Sequence, residues 1–204
     1  HLFEHMMFKG TPTLGTTDAK RDLEIIAEQE KIRELIRQEE SKMRTALRRG
    51  EVTDITSPEA RTDRYRELEQ EFKRLLEEQR KLLVKNEFDR IYTTAGATKM
   101  NAFTTEDMTG YFIEVPSNKL ELWCWMESER LLRPVFREFY AERDVVFEER
   151  RMRTESTPTG KFAEQFNAMF WDAHPYNWPV IGWPSDIPAI SKKQADEFYA
   201  LYYQ

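Results

Sequence analysis

Apolar residues recur at alternating three- and four-residue steps through Tyr65, Leu68, Phe72, Leu75 and Leu82, the spacing of a coiled-coil seam. A comparable, looser stripe runs through Ile25, Ile32, Ile36, Met43 and Leu47. Between them, Arg49-Gly50-Glu51 through Ser57-Pro58-Glu59 carries the breakers of a loop, with Ser57-Pro58 suited to a helix start. The pattern predicts a long antiparallel helical hairpin, each arm about 30 residues and on the order of 45 Å. Gln79 and Asn86 fall on the seam, so imperfect packing is expected there. Such an arm serves either as a solvated structural element or as a docking site for a partner protein.

The texture changes after Ala95-Gly96-Ala97. Asn101-Ala102-Phe103-Thr104-Thr105 and Thr109 through Pro116 are β-branched and aromatic residues bounded by turn formers, which reads as a strand pair or one long strand. Ser117 or Asn118 is placed to cap a helix carrying Leu120, Leu122, Trp123, Met126 and Leu131-Leu132, stopped by Pro134. Another helix is expected from Arg137 or Glu138 through Thr154, a third from Phe162 to Ala173 after a break at Pro158-Thr159-Gly160, and a last from Lys192 to Tyr203 behind Ser191. The fold class is α+β: an antiparallel sheet packed with helices and interrupted by the long hairpin.

Composition narrows the classes. Of 204 residues, 40% are hydrophobic and 33% charged, a soluble profile without the roughly eighteen-residue apolar run that a membrane span needs. The net charge of −6, with acids and bases interleaved, argues against nucleic acid as a partner. One cysteine, Cys124, excludes an internal disulfide framework, and its setting beside Trp123 and Trp125 predicts a buried small hydrophobe. The chain opens inside a helix-like motif and closes on an aromatic run, which reads as an excerpt of a longer protein.

The first five residues carry the chemistry. His1 and His5, four apart, project from one helix face, close enough to grip a single ion. Glu4 stands directly before His5, where its carboxylate can approach a water held by that ion. The arrangement is H-x-x-E-H, the inverzincin signature. A catalytic zinc site takes three protein ligands and leaves one position open. Only one further histidine exists, His174, in a loop before a proline, so a carboxylate is the expected third ligand. The best stretch is Glu142-Arg143-Asp144-Val145-Val146-Phe147-Glu148-Glu149. Glu142 and Glu149 share a face two turns apart, whereas Glu148 points about 100° away from Glu149. Taken alone, the same stretch also fits an ordinary charged helix surface.

Residues 1–11 (HLFEHMMFKGT), 101–104 (NAFT) and 142–149 (ERDVVFEE), in this order, resemble the pitrilysin/insulinase family of zinc metallopeptidases. His174-Pro175-Tyr176 and Pro179-Val180-Ile181-Gly182 are similar to the family's pattern as well. The resemblance implies that His1, His5 and Glu149 bind Zn2+, that Glu4 is the general base, and that Glu142 supports the site from behind the ligands. It implies that Asn101, Ala102, Phe103 and Thr104 lie beside bound peptide and pair with its backbone; a turn entering a core strand is the other reading of those four. From His5 to Glu149 there are 144 positions, more than the family's layout has, and removing the 60 residues 28–87 restores the familiar spacing. The expected organisation is therefore 1–27 as the start of the peptidase domain, 28–87 as a hairpin insertion, and 88–204 as its remainder. Peptide or unfolded protein is the implied substrate, with a second family subunit or domain as a further partner and an extracytoplasmic bacterial compartment such as the periplasm as the setting. The isolated stretch is expected to bind metal weakly and turn over little. Two rival readings are a catalytically silent subunit of the same family and a coiled-coil adaptor.

Overall fold

The computed structural model describes residues 1–203. Two compact units divide the chain, one formed by residues 1–15 and 85–204, the other by 16–84; Gln204, the last residue of the predicted 88–204 stretch, lies outside the described residues.

The first element is the single-turn helix α1 (Leu2–Met6). The 16–84 unit is the hairpin of α2 (Ala19–Arg48) and α3 (Asp63–Leu82). Its seam buries Ile25, Ile26, Ile32, Ile36 and Met43 against Leu68, Phe72 and Leu75, while Leu47 at the far end is exposed. Asp18 caps α2 by accepting from the Arg21 amide at 3.0 Å. Thr62 caps α3, accepting from the Tyr65 amide at 3.0 Å and donating to buried Glu39 at 2.8 Å. Ser57-Pro58 does not start α3; Pro58–Ala60 forms only a short 3₁₀ turn, and the second arm is 20 residues rather than about 30. The two arms leave the seam side by side, with a bridge between Thr16 and Leu83 and the Thr17 amide donating to the Leu82 carbonyl at 2.9 Å.

Gln79 is buried on the seam but is not a packing defect. Its amide donates to Asp22 at 2.9 Å and its carbonyl accepts from Gln29 at 3.0 Å, so the buried polar groups satisfy one another as burial demands. Asn86 lies off the seam altogether, because the helix ends at Leu82 and Asn86 turns the chain at φ 54° ahead of the next helix. The compact unit also begins earlier than the predicted 28–87. Counting against a motif spacing cannot see that α2 is unbroken from Ala19.

The other unit continues with α4 (Glu87–Thr94), β1 (Thr98–Thr104), β2 (Thr109–Glu114), α5 (Leu120–Leu132), α6 (Phe139–Arg150), α7 (Pro158–Phe170) and α8 (Lys192–Tyr202). Its two strands pair antiparallel, with Ala102 opposite Tyr111 and Thr104 opposite Thr109. Leu14, Phe88, Tyr92, Ala97 and Met126 form a core beneath the sheet, extended by Phe8, Met100 and Ile113. Helices and a small antiparallel sheet make this an α+β fold. The first turn of α5 has no side-chain cap from Ser117 or Asn118, which sit in a 3₁₀ turn. Cys124 is exposed, not buried, since Met126, two residues on and roughly 200° around the helix, takes the inward direction. Pro158-Thr159-Gly160 opens α7 rather than separating helices: Thr157 accepts from the Gly160 amide at 3.1 Å, and Pro158 stands in the first turn, where it costs no hydrogen bond.

Two buried arginines hold this unit together. Arg150 makes a paired contact with Glu164 of α7, at 2.5 and 2.8 Å, and donates to the Gly182 carbonyl at 3.0 Å. Arg137, two residues before α6, donates to the carbonyls of Lys9 (3.1 Å), Leu14 (2.8 Å) and Thr11 (2.8 Å). The turn it gathers depends on Gly10, whose φ is 98° and where a Cβ would stand 2.4 Å from the Leu14 carbonyl oxygen.

Replacing Arg137 with Met removes the donors to three buried carbonyls and should cost about 3 kcal/mol or more of stability in the full-length protein, read as a lower midpoint in chemical denaturation; an unchanged midpoint would contradict this role. Gln79→Leu should destabilise by roughly 1–3 kcal/mol, despite adding apolar volume to the seam, because Asp22 and Gln29 lose the bonds that Gln79 supplies.

Candidate metal centre

Five residues of helix are too few to be stable alone, so α1 is placed by what its side chains grip. Met6 and Met7 are fully buried. Phe3 packs edge-on to Phe136, with ring centres 5.3 Å apart, and against Phe198 of α8 at 4.9 Å. This leaves the opposite face, with His1 and His5, turned toward α6. The two imidazoles meet edge to face with centres 4.9 Å apart.

Helix α6 is anchored by buried Phe139, Tyr140 and Val146, which directs Glu142 and Glu149 at α1. Glu149 Oε2 lies 3.6 Å from His1 Nε2 and 3.5 Å from His5 Nε2, and one donor atom from each of the three residues falls within 4.8 Å of the others. These separations are long for hydrogen bonds. They match the edge of a tetrahedron around an ion with ligand bonds of about 2.0–2.2 Å, which is about 3.4 Å. The donor set, two imidazole nitrogens and a carboxylate oxygen, is the chemistry zinc takes in open sites. The residues present therefore fit a divalent ion of this kind. Glu148 stands away, pairing with Arg151 at 2.9 Å, as its 100° offset requires.

Each side chain has a second contact that aims it. Glu142 Oε2 faces His5 Nδ1 at 3.4 Å, a contact that suits the tautomer with its proton on Nδ1 and its lone pair on Nε2. Burial raises the Glu142 pKa, but the hydrogen bonds from His5 and Lys9 outweigh it and hold the carboxyl below the usual carboxylate range. Glu149 Oε1 pairs with Arg153 at 2.8 Å. Arg153 lies in a π-helical turn, Arg151–Glu155, that continues α6 directly after the glutamate. His1 Nδ1 is buried without a hydrogen-bond partner.

Glu4 faces the same cleft, and Thr104 of β1 donates to its Oε2 at 2.6 Å. His1, Glu4, His5 and Glu149 line one wall of this open space of about 810 Å³, and Asn101 through Thr104 line another. The Thr105 amide bonds the Met108 carbonyl at 2.8 Å. By the alternation of an antiparallel ladder, the backbone groups of Ala102 and Thr104 then lie on the edge away from β2. The Ala102 amide is met there by the Asn101 side-chain oxygen at 2.9 Å.

The structure thus gathers His1, Glu4, His5, Glu142 and Glu149 with residues 101–104. His174 stays apart, accepting from the Tyr176 amide at 3.3 Å at the start of a 3₁₀ turn. The sequence reading passed over the Thr104 contact to Glu4, Arg153, and Lys9, whose ammonium meets Glu142. Of these only Lys9 had a local signal, one turn beyond His5.

No family model matches the chain. A zinc protease of Helicobacter pylori, PqqE, is 38% identical over 126 residues, covering 61% of this chain and 28% of that protein. An uncharacterized zinc protease of Mycobacterium leprae is 32% identical over 107 residues, 52% of this chain and 24% of its own length, and one of Mycobacterium tuberculosis, Rv2782c, is 31% identical over an equal share. Among solved structures, a protease from Helicobacter pylori superposes with a TM-score of 0.54 at 36% identity, covering 58% of this chain and 29% of that one. The chain spans about a quarter of the length of the curated relatives it matches. With an H-x-x-E-H helix facing a glutamate across one cleft, the chain is similar, over about a quarter of their length, to bacterial proteins named zinc proteases.

Proposed function

We propose that the full-length protein is a zinc-dependent endopeptidase and that this cleft is where the peptide bond is broken. The observation that carries the reading is the convergence of His1, His5 and Glu149, their donor atoms all within 4.8 Å of one another and Glu149 Oε2 at 3.5 and 3.6 Å from the two imidazoles, with Glu4 on the same wall. His1, His5 and Glu149 would hold the ion. When bound, zinc polarises a carbonyl and makes a neighbouring water acidic.

The chain's own groups do the rest. Glu4 takes a proton from the attacking water and passes it to the departing amine. Thr104 steadies one oxygen of that carboxylate, leaving the other to handle the proton. Glu142 holds the His5 ring by its Nδ1–H. Substrate is received on β1: an extended peptide adds to the open edge, with the backbone of Ala102 and Thr104 as its partners, so recognition rests on main chain. The Asn101 side chain, already turned to the Ala102 amide, is the group an incoming carbonyl displaces.

In the full-length protein, Glu4→Gln should keep its metal while peptide hydrolysis falls by about 10²–10⁴-fold; wild-type activity in this variant would remove Glu4 from the role of base. His5→Ala should lose bound zinc in elemental analysis of the purified protein. Stoichiometric metal in that variant would place the ion elsewhere.

A further inference from the structure

Behind His5, away from the cleft, stands a second tier of charge. The Lys9 ammonium makes a short contact with Glu142 Oε1 and lies 3.7 Å from Glu138 Oε2. Both carboxylates come from the start of α6. The other oxygen of Glu142 faces His5 Nδ1 at 3.4 Å. Lys9, Glu142 and His5 therefore form a continuous line that ends on an imidazole of the candidate centre. The side chains of Lys9 and Glu142 are only 20% and 18% exposed, unlike the solvated pairs of the hairpin.

Lys9 is also fixed from its backbone. Its carbonyl accepts from buried Arg137 at 3.1 Å, and the next residue is Gly10, in a conformation a side chain would not fit. The ammonium is thus delivered to one place. Without it, Glu142 and Glu138 would repel each other one helical turn apart, and Glu142 could swing off the histidine. An ordinary surface ion pair would show neither the shielding nor the shared imidazole.

We propose that Lys9 is a positioning residue of the metal centre: it clamps Glu142, and Glu142 in turn holds His5 with Nε2 toward the ion. This rests on the reading that His1, His5 and Glu149 bind zinc. The test uses the full-length protein and reads zinc affinity by competition with a chromophoric chelator, with circular dichroism and thermal unfolding recorded for each variant. Lys9→Met should weaken zinc binding about tenfold or more, the scale seen when the partners of ligating histidines are removed, and Lys9→Arg should restore affinity to within about threefold of wild type. In a Glu142→Gln background, Lys9→Met should add less than about twofold, since its route to His5 is already cut. Wild-type affinity in Lys9→Met would overturn the proposal, as would full multiplication of the two effects in the double variant. Should Lys9→Met fail to fold, Lys9→Gln takes its place, and wild-type affinity there overturns the proposal equally. If the wild-type protein itself binds no zinc, the metal reading falls and takes the Lys9 inference with it; if wild type binds and the Lys9 variants match it, only the role of Lys9 is lost.

Discussion

The site depends on one buried guanidinium. Helix α1 is a single turn, and nothing in its own hydrogen bonding would keep His1 and His5 at a fixed distance from α6. Arg137 supplies that fixity. It sits two residues ahead of α6 and collects three carbonyls from the segment that follows α1, so the two elements bearing the donor atoms share one polar anchor. A guanidinium suits the task because its donors are fixed in a plane and its charge persists at any working pH. Its burial is matched by three carbonyl acceptors on its two terminal nitrogens, and Gly10 is the concession the backbone makes to let those carbonyls turn inward.

Around the two imidazoles the balance of charge is unfavourable to the protein alone. Glu4, Glu142 and Glu149 crowd one half-buried wall, with Glu138 behind them, and Lys9 and Arg153 stand against them at contact distance. Carboxylates taken partly out of water and set near one another repel. On the proposed reading, a divalent cation offsets this excess where the donors converge, and Lys9 and Arg153 neutralise the rear oxygens of Glu142 and Glu149. Each acid then has one oxygen turned to its imidazole and one to a base, which is how a carboxylate with two acceptors is kept from rotating.

Much of the site was legible because its first part is local. His1, Glu4 and His5 lie within one turn, so spacing alone put two imidazoles on a face. Glu149 lies 144 positions from His5, and only a resemblance in ordered motifs singled it out from neighbouring acids; the structure separates it from Glu148 by the turn of the helix. The hairpin could be read from its apolar steps, but not its limits. Nothing in composition distinguishes Leu82, the last helical residue, from Leu83 and Val84, which leave the helix, and so Asn86 was placed on a seam it never joins. Gln79 reads as a flaw in a list of apolar positions and becomes a satisfied group only when Asp22 and Gln29 are set beside it. Thr104 to Glu4, a contact across a hundred residues, has no trace in either local sequence.

The side-by-side exit of the hairpin has a consequence of its own. Because Thr16 and Leu83 are bridged where the arms end, the separation between the two strands of chain is set at that bridge and not by the distal loop. Whole helical repeats can be gained or lost at the tip, in matched numbers on both arms, while the gap to be spanned at the base stays constant. Length in this element is thus uncoupled from its base, whereas register is tied to the Asp22, Gln79 and Gln29 chain near the bridge.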